Sequence, residues 1–121
     1  MIDITATIME LVSQNGAESG SVLIYNPHTT AGITINENAD PDVVHDMLLT
    51  LEELFPKNRP GYQHAEGNSD SHMKASFVGS SATVIFDREK LVLGRWQGIY
   101  FCEFDGPRNR HYFTQISENP G

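Results

Sequence analysis

The sequence predicts an α+β fold: a mainly antiparallel β-sandwich with about three helices packed on it. Three observations carry that prediction. Short apolar segments rich in Val, Ile, Tyr and Phe recur along the chain, and four of them crowd its last third. Stretches of helical period, closed by Gly or Pro, stand between the earlier strands and the later ones. The connections among the late strands are short, which suits hairpins better than parallel crossovers.

Taken in order, residues 5–15 read as a helix, since Ile4, Ile8, Leu11 and Val12 recur at helical spacing. Thr7 and Glu10 have capping-box spacing, and Gly16 and Gly20 bracket the exit. SVLIYNP at 21–27 is a strand closed by proline. AGITINE at 31–37 is a second strand, its Ile33 and Ile35 alternating with Thr34 and Asn36. The clearest helix is 41–55, with Asp40 as N-cap, Pro41 at the first position and a broad stripe from Val43 to Phe55. Pro56 and Pro60 stop it. A shorter helix over about 70–78 takes Ser69 or Asp70 as cap and Gly79 as its stop. Strands at 82–86, 91–93, 96–104 and 111–116 complete a single domain, residues 1–121, with no internal repeat or linker.

Composition narrows the function. With 8 basic against 16 acidic residues the net charge is -8, which argues against a nucleic-acid surface. A small anionic substrate held by a few local cations remains open. A hydrophobic fraction of 39% is lean, and lean chains often complete their burial across a subunit interface. The lone cysteine, Cys102, lies in an apolar strand and reads as a buried structural thiol in a reducing compartment. MIDITATIM lacks a basic leader region, and no apolar run approaches the ~20 residues that span a bilayer. The expectation is a soluble, cytoplasmic protein without a membrane partner.

The stretch HAEGNSDSHMKAS places His64, Glu66, Asp70 and His72 within nine positions. Two histidines eight apart match no zinc-finger spacing, so the pattern alone is weak. Its context adds weight: His72 falls in the first turn of a helix, where free amides and a partial positive charge favour anions. A solvated loop with a helix cap is the alternative. His28, Thr29 and Thr30, wedged between two strands, offer an imidazole and two hydroxyls, or simply a capped turn. Asn36, Glu37, Asn38 and Asp40 either present oxygens to a hard cation or lead into the next helix. Asp42, His45 and Asp46 lie off the apolar stripe and read as a solvated face unless that face lines a cleft. In WQGIYFCEFDGPRNR, Glu103 among apolar neighbours needs a partner, and the DGPR turn aims Arg108 outward. A structural Glu103–Arg108 ion pair and a phosphate-binding arginine are both open readings. Trp96 and Tyr100 suit the core better than a stacking role.

HTTAGITINENADPDVVHD, YQHAEGNSDSHMKASFVGSS and LVLGRWQGIYFCEFDGPRNR resemble, in order and spacing, three motifs of the YjbQ-like secondary thiamine-phosphate synthase family. The resemblance runs from Asp3 to about Tyr112. Two departures stand out: members usually have another strand before the Asp-Ile-Thr step at which this chain starts, and Arg95 stands where they carry threonine. The resemblance implies a homotrimer with a polar, metal-binding site formed by His28, His64 and His72, the ion being zinc or magnesium. It also implies a transferase that joins a hydroxymethylpyrimidine diphosphate to a thiazole phosphate and releases pyrophosphate. On this reading Glu66, Asp46, Glu103 and Arg108 are candidate catalytic groups. Thr29, Thr30, Asn36, Asn68, Lys74 and Gln97 are candidate contacts to a phosphorylated small molecule. A zinc-dependent hydrolase and a non-enzymatic metal- or ligand-binding trimer are the competing readings.

Overall fold

The computed structural model describes residues 1–119 and contains three helices and two antiparallel sheets, the α+β arrangement read from the sequence. Strands β1 (Ile2–Asp3), β3 (Ala31–Glu37) and β6 (Gln97–Glu103) form a three-stranded sheet in the order β1-β6-β3. Strands β2 (Ser19–Tyr25), β4 (Ser81–Asp87), β5 (Lys90–Leu91) and β7 (Phe113–Glu118) form a second sheet in the order β5-β4-β2-β7. Between their inner faces lie Val22, Ile24, Ile33, Val84, Phe86, Ile99 and Phe101, all buried and part of one cluster with Ile8 and Val12 of helix α1 (Thr5–Asn15). Alternation explains the facing. Val22 and Ile24 point in, while Tyr25, Ile85 and Phe113 stand exposed on the outer face of the second sheet.

Local chemistry sets the element ends. Helix α1 starts at Thr5 because Asp3 Oδ1 accepts from the Thr5 amide at 2.9 Å and from the Thr5 hydroxyl; the Thr7–Glu10 pair plays no capping part. Gly16, at φ 86°, supplies the left-handed residue that ends it. Helix α2 (Pro41–Leu54) is capped by Asp40, whose Oδ1 accepts from the Asp42 amide at 2.9 Å. Its apolar stripe is less covered than its pattern suggests: Leu51 is buried, but Leu48, Leu49 and Leu54 are exposed. Helix α3 (Ser69–Val78) has Asn68 as N-cap in place of Ser69 or Asp70, and no side chain caps it. It leans on β3, where the Ile33 amide donates to the Gly79 carbonyl at 2.9 Å.

Two readings of the strands change. Of the late connections only β4–β5 is a hairpin, with Arg88 and Glu89 at positive φ; β6 leaves for the other sheet and β7 returns to pair with β2. Residues Ile2 and Asp3, which the pattern leaves outside any strand, pair with Phe101 and Tyr100. Tyr100 is buried, its hydroxyl donating to the Glu37 carbonyl at 3.1 Å, but Trp96 is exposed and carries Arg95 over its ring at 4.7 Å. Trp96 therefore has no core role. Among the described residues no helix is long and apolar enough to cross a membrane.

Candidate functional site

Antiparallel pairing of Ala31 with Glu103 sets the start of β3 beside the end of β6. The turn 26–30 and the loop 104–112 therefore run side by side. Buried Asn26 shapes the turn: its amide nitrogen donates to the Ala31 carbonyl at 2.7 Å and the His28 carbonyl at 3.1 Å, and its oxygen accepts from the His28 amide at 3.0 Å. Helix α3 is brought to the same edge because the Ser71 hydroxyl donates to the Phe104 carbonyl at 2.6 Å. The three segments enclose a polar pocket of about 370 Å³. His28, Thr29 and Thr30 come from the turn; His64, Glu66, Asn68 and His72 come from the entry to α3. Asp105, Arg108 and Arg110 come from the loop.

Ion pairs organise the loop side. Glu103 meets Arg110, not Arg108: Arg110 Nη2 lies 2.6 Å from Glu103 Oε1 and 2.7 Å from Thr30 Oγ1, and Nε donates to the other carboxylate oxygen. Those hydrogen bonds hold the Glu103 carboxyl below the usual range against the opposing effect of burial. Arg108 instead pairs with Asp105 at 2.9 Å. The Asn68 amide donates to Asp105 at 2.7 Å and, with Arg108, keeps that carboxyl low as well. Asn68 Oδ1 is left buried without a hydrogen-bond partner among the described residues. Cys102, within β6, is buried and its thiol is pushed up to about 11 by that burial, which makes it a poor nucleophile at neutral pH.

Eight candidate residues thus share one pocket: His28, Thr29, Thr30, His64, Glu66, Asn68, His72 and Arg108. Five others are placed elsewhere. Lys74 is buried in α3, with Nζ 2.6 Å from Glu52 and 3.2 Å from Asp70, so it clamps α2 to α3 and lies outside the pocket lining. Asp46 is exposed on α2, beside a groove it shares with Val43, Thr50 and Phe77, and its carboxylate accepts from His45 at 3.0 Å. Gln97 turns back onto the Gly94 amide at 2.8 Å. Asn36 Oδ1 accepts from the Glu37 amide, and Asn38 Nδ2 donates to Asp3, so with Asp40 committed to its cap this run presents no cation site. Glu103 sits behind the pocket and positions Arg110. Arg110, Asp105 and His111 were not among the sequence candidates. The alternating Arg108 and Arg110 after a tight turn was the available signal.

The candidate histidines are held in two edge-to-face pairs. The His64 and His72 rings pack edge to face with centroids 5.3 Å apart, and His28 pairs in the same way with His111 at 4.9 Å. His28 Nε2 lies against the main chain of His111, 3.0 Å from its amide and 3.1 Å from its carbonyl. Among the described residues no group of three or more His, Cys, Asp or Glu side chains is placed to hold a metal ion. The pocket gathers two guanidiniums, two hydroxyls and three imidazoles from its three segments, together with the carboxylates of Glu66 and Asp105, and the cationic and hydroxyl donors among them suit a hydrogen-bonded anion.

Comparison with known proteins agrees with this fold. The family model described as UPF0047 protein YjbQ-like matches residues 1–119. UPF0047 protein YugU of Bacillus subtilis is 57% identical over 116 residues, covering 96% of this chain and 88% of that protein. UPF0047 protein MJ1081 of Methanocaldococcus jannaschii is 53% identical, covering 96% and 83%. A crystal structure of an uncharacterised conserved protein of the YjbQ/UPF0047 family from Clostridium acetobutylicum superposes with a TM-score of 0.93 at 54% identity, covering 96% of this chain and 89% of that one. A conserved hypothetical protein from Thermus thermophilus superposes with a TM-score of 0.90 at 39% identity, covering 96% and 90%. On the match along its length, the chain belongs to the YjbQ-like UPF0047 family.

Proposed function

We propose that the pocket at the β3–β6 edge binds a phosphorylated small molecule, and that the chain is a transferase of the thiamine-phosphate-synthase type. The observation that carries this reading is the convergence of Arg108, Arg110, Thr29, Thr30 and the three histidines on one polar pocket in an otherwise acidic chain. In the proposed reaction a thiazole phosphate nitrogen attacks the methylene carbon of a hydroxymethylpyrimidine diphosphate. A C–N bond forms, the C–O bond breaks, and pyrophosphate leaves with the electron pair. No proton need be lost by the nucleophile, so the main demand is stabilisation of charge on the leaving group. Arg108 and Arg110 meet that charge. His64 and His72 donate to the departing oxygens. Glu66, in no ion pair among the described residues, accepts from the pyrimidine amino group.

A divalent ion, zinc or magnesium, enters this reading only as the counter-ion that a diphosphate brings with it. The homotrimer and the cytoplasmic setting belong to the same proposal. They are supported by the exposed Tyr25, Ile85 and Phe113 on one sheet face and by the single buried thiol. The test is to supply both precursors and follow pyrophosphate release. Turnover by the wild type, slowed ~100-fold by Arg110→Ala and by the His64→Ala, His72→Ala pair, supports the assignment. No release under any condition removes the transferase reading; tight ligand binding without turnover would leave a binding protein.

A further inference from the structure

We infer that His28 serves this pocket as a hydrogen-bond donor to an anion, through Nδ1–H, and not as a metal ligand. The inference rests on the reading of the pocket as a phosphate site and assigns the chemistry of one of its walls.

The argument starts from what Nε2 touches. It lies 3.0 Å from the His111 amide nitrogen and 3.1 Å from the His111 carbonyl oxygen. In the neutral ring only one nitrogen carries a proton. If that proton were on Nε2 it would face the His111 N–H head on and leave that amide without an acceptor. If Nε2 is bare, it accepts from the amide, and the exposed His111 can offer its carbonyl to water. The His111 N–H points at Nε2 with donor geometry, while the carbonyl keeps a second lone pair free for water. The second arrangement therefore wins and puts the proton on Nδ1. The other nitrogen's hydrogen bond fixes the tautomer, as it does wherever an imidazole is anchored by main chain.

Nδ1 makes no hydrogen bond to any described residue, so its N–H remains available to a ligand. A metal ion needs the opposite: a bare nitrogen. Ligation at Nδ1 would put the proton on Nε2, where the His111 carbonyl could accept it only at the expense of the amide hydrogen bond beside it, while ligation at Nε2 would displace the main-chain contact altogether. One further observation agrees: no set of three metal donors converges among the described residues. The turn is also held rigid for this purpose, with Asn26 bonded to both the amide and the carbonyl of His28.

The experiment is long-range proton–nitrogen NMR of the imidazoles in the full-length, nitrogen-15-labelled chain at about pH 8, where an ordinary histidine is neutral. His28 is expected to show a protonated Nδ1 and a bare Nε2. Inorganic pyrophosphate should shift the His28 Nδ1 signal, and zinc ions added alone at equimolar ratio should leave the His28 signals in place. His28→Ala should weaken pyrophosphate binding by about tenfold, the loss of one hydrogen bond to a charged group. A protonated Nε2 with a bare Nδ1, or stoichiometric zinc binding that shifts His28 together with His64 and His72, overturns the inference. The wild-type spectrum decides this even if the alanine variant fails to fold. Turnover of the two precursors with the wrong tautomer would leave the transferase reading standing and this one refuted. The expected tautomer with no turnover would do the reverse.

Discussion

Arg110 Nη2 donates to Thr30 Oγ1 at 2.7 Å while the same guanidinium grips Glu103, so one side chain ties the turn before β3 to the end of β6. The pocket's shape depends on that tie. Arg110 is itself mostly buried, with a side chain 12% exposed against 20% for Glu103. A charge in such a place keeps its geometry only while its partner remains ionised.

Glu103→Gln tests the tie. The amide can accept one hydrogen bond but cannot neutralise Arg110, and the expected loss is ~1.5–3 kcal/mol in urea unfolding. The pH dependence follows from the sign of the shift. Glu103 is held below the ordinary carboxyl range chiefly by the Arg110 hydrogen bonds. Its contribution is therefore complete above the unfolded value of about 4.3 and fades as the pH falls through the lower folded value. Wild type should thus lose stability relative to Glu103→Gln on acidification below about pH 4.3. Equal acid profiles for the two proteins would refute the pairing.

Lys74→Met separates a structural cation from a phosphate ligand. Burial alone would lower the lysine, but its hydrogen bonds to Glu52 and Asp70 prevail and raise it, so it stays charged. Removing it leaves Asp70 buried with no cation, at an expected cost of ~3–5 kcal/mol. Glu52→Gln should cost under ~1 kcal/mol, because the Glu52 side chain is 61% exposed. Calorimetry of both variants checks the ordering. A mild Lys74→Met with collapsed pyrophosphate binding would return Lys74 to the ligand set.

The strands and helices were legible because periodicity reports burial directly. Residues 31–37 were read as a strand and 41–55 as a helix, with Asp40 as the cap, and each stands within a residue of those bounds. What periodicity does not encode is which sheet a strand joins. The crossing of β6 and β7 between sheets was therefore missed, and with it the adjacency that brings Arg110 to Thr30. The histidine-rich loop was recognisable by residue type, and His28, His64 and His72 do line one pocket. What residue type does not show is how His28 is anchored, because its ring meets the main chain of His111, a residue 83 positions away. Lys74 was misplaced for a related reason: charge pattern cannot tell a buried clamp from an exposed anion binder.

The outer face of the second sheet supplies the test of the proposed assembly. Tyr25 and Phe113 lie directly opposite each other across the β2–β7 ladder, 45% and 57% exposed, and Ile85 on β4 is 63% exposed. Exposed large apolar side chains gathered on one sheet face are the kind of surface that marks an interaction site. Ile85→Lys with Phe113→Lys places charges there without touching the core. Sedimentation should show trimers for wild type and monomers for the double variant. An unchanged oligomer would move the interface to another face, with the exposed α2 stripe the next to examine.

Gly32→Ala probes how α3 is seated, and through it the pocket. A methyl group at Gly32 would lie 2.9 Å from the Gly79 carbonyl oxygen and 2.9 Å from Val78 Cγ1. The side chain can yield, but the carbonyl is fixed, since it accepts from the Ile33 amide at 2.9 Å. Overpacking of this kind costs ~1–3 kcal/mol. Val78→Ala added to it should relieve only part of that cost. Because α3 carries His72 and is entered through Asn68, pushing its C-terminal end off β3 tilts the wall opposite Arg110. Pyrophosphate binding should therefore weaken along with stability, measured by titration calorimetry on protein still folded at the assay temperature. Full binding in a destabilised Gly32→Ala would show that the pocket is held by the Ser71–Phe104 bond at the helix start, independently of how the helix ends.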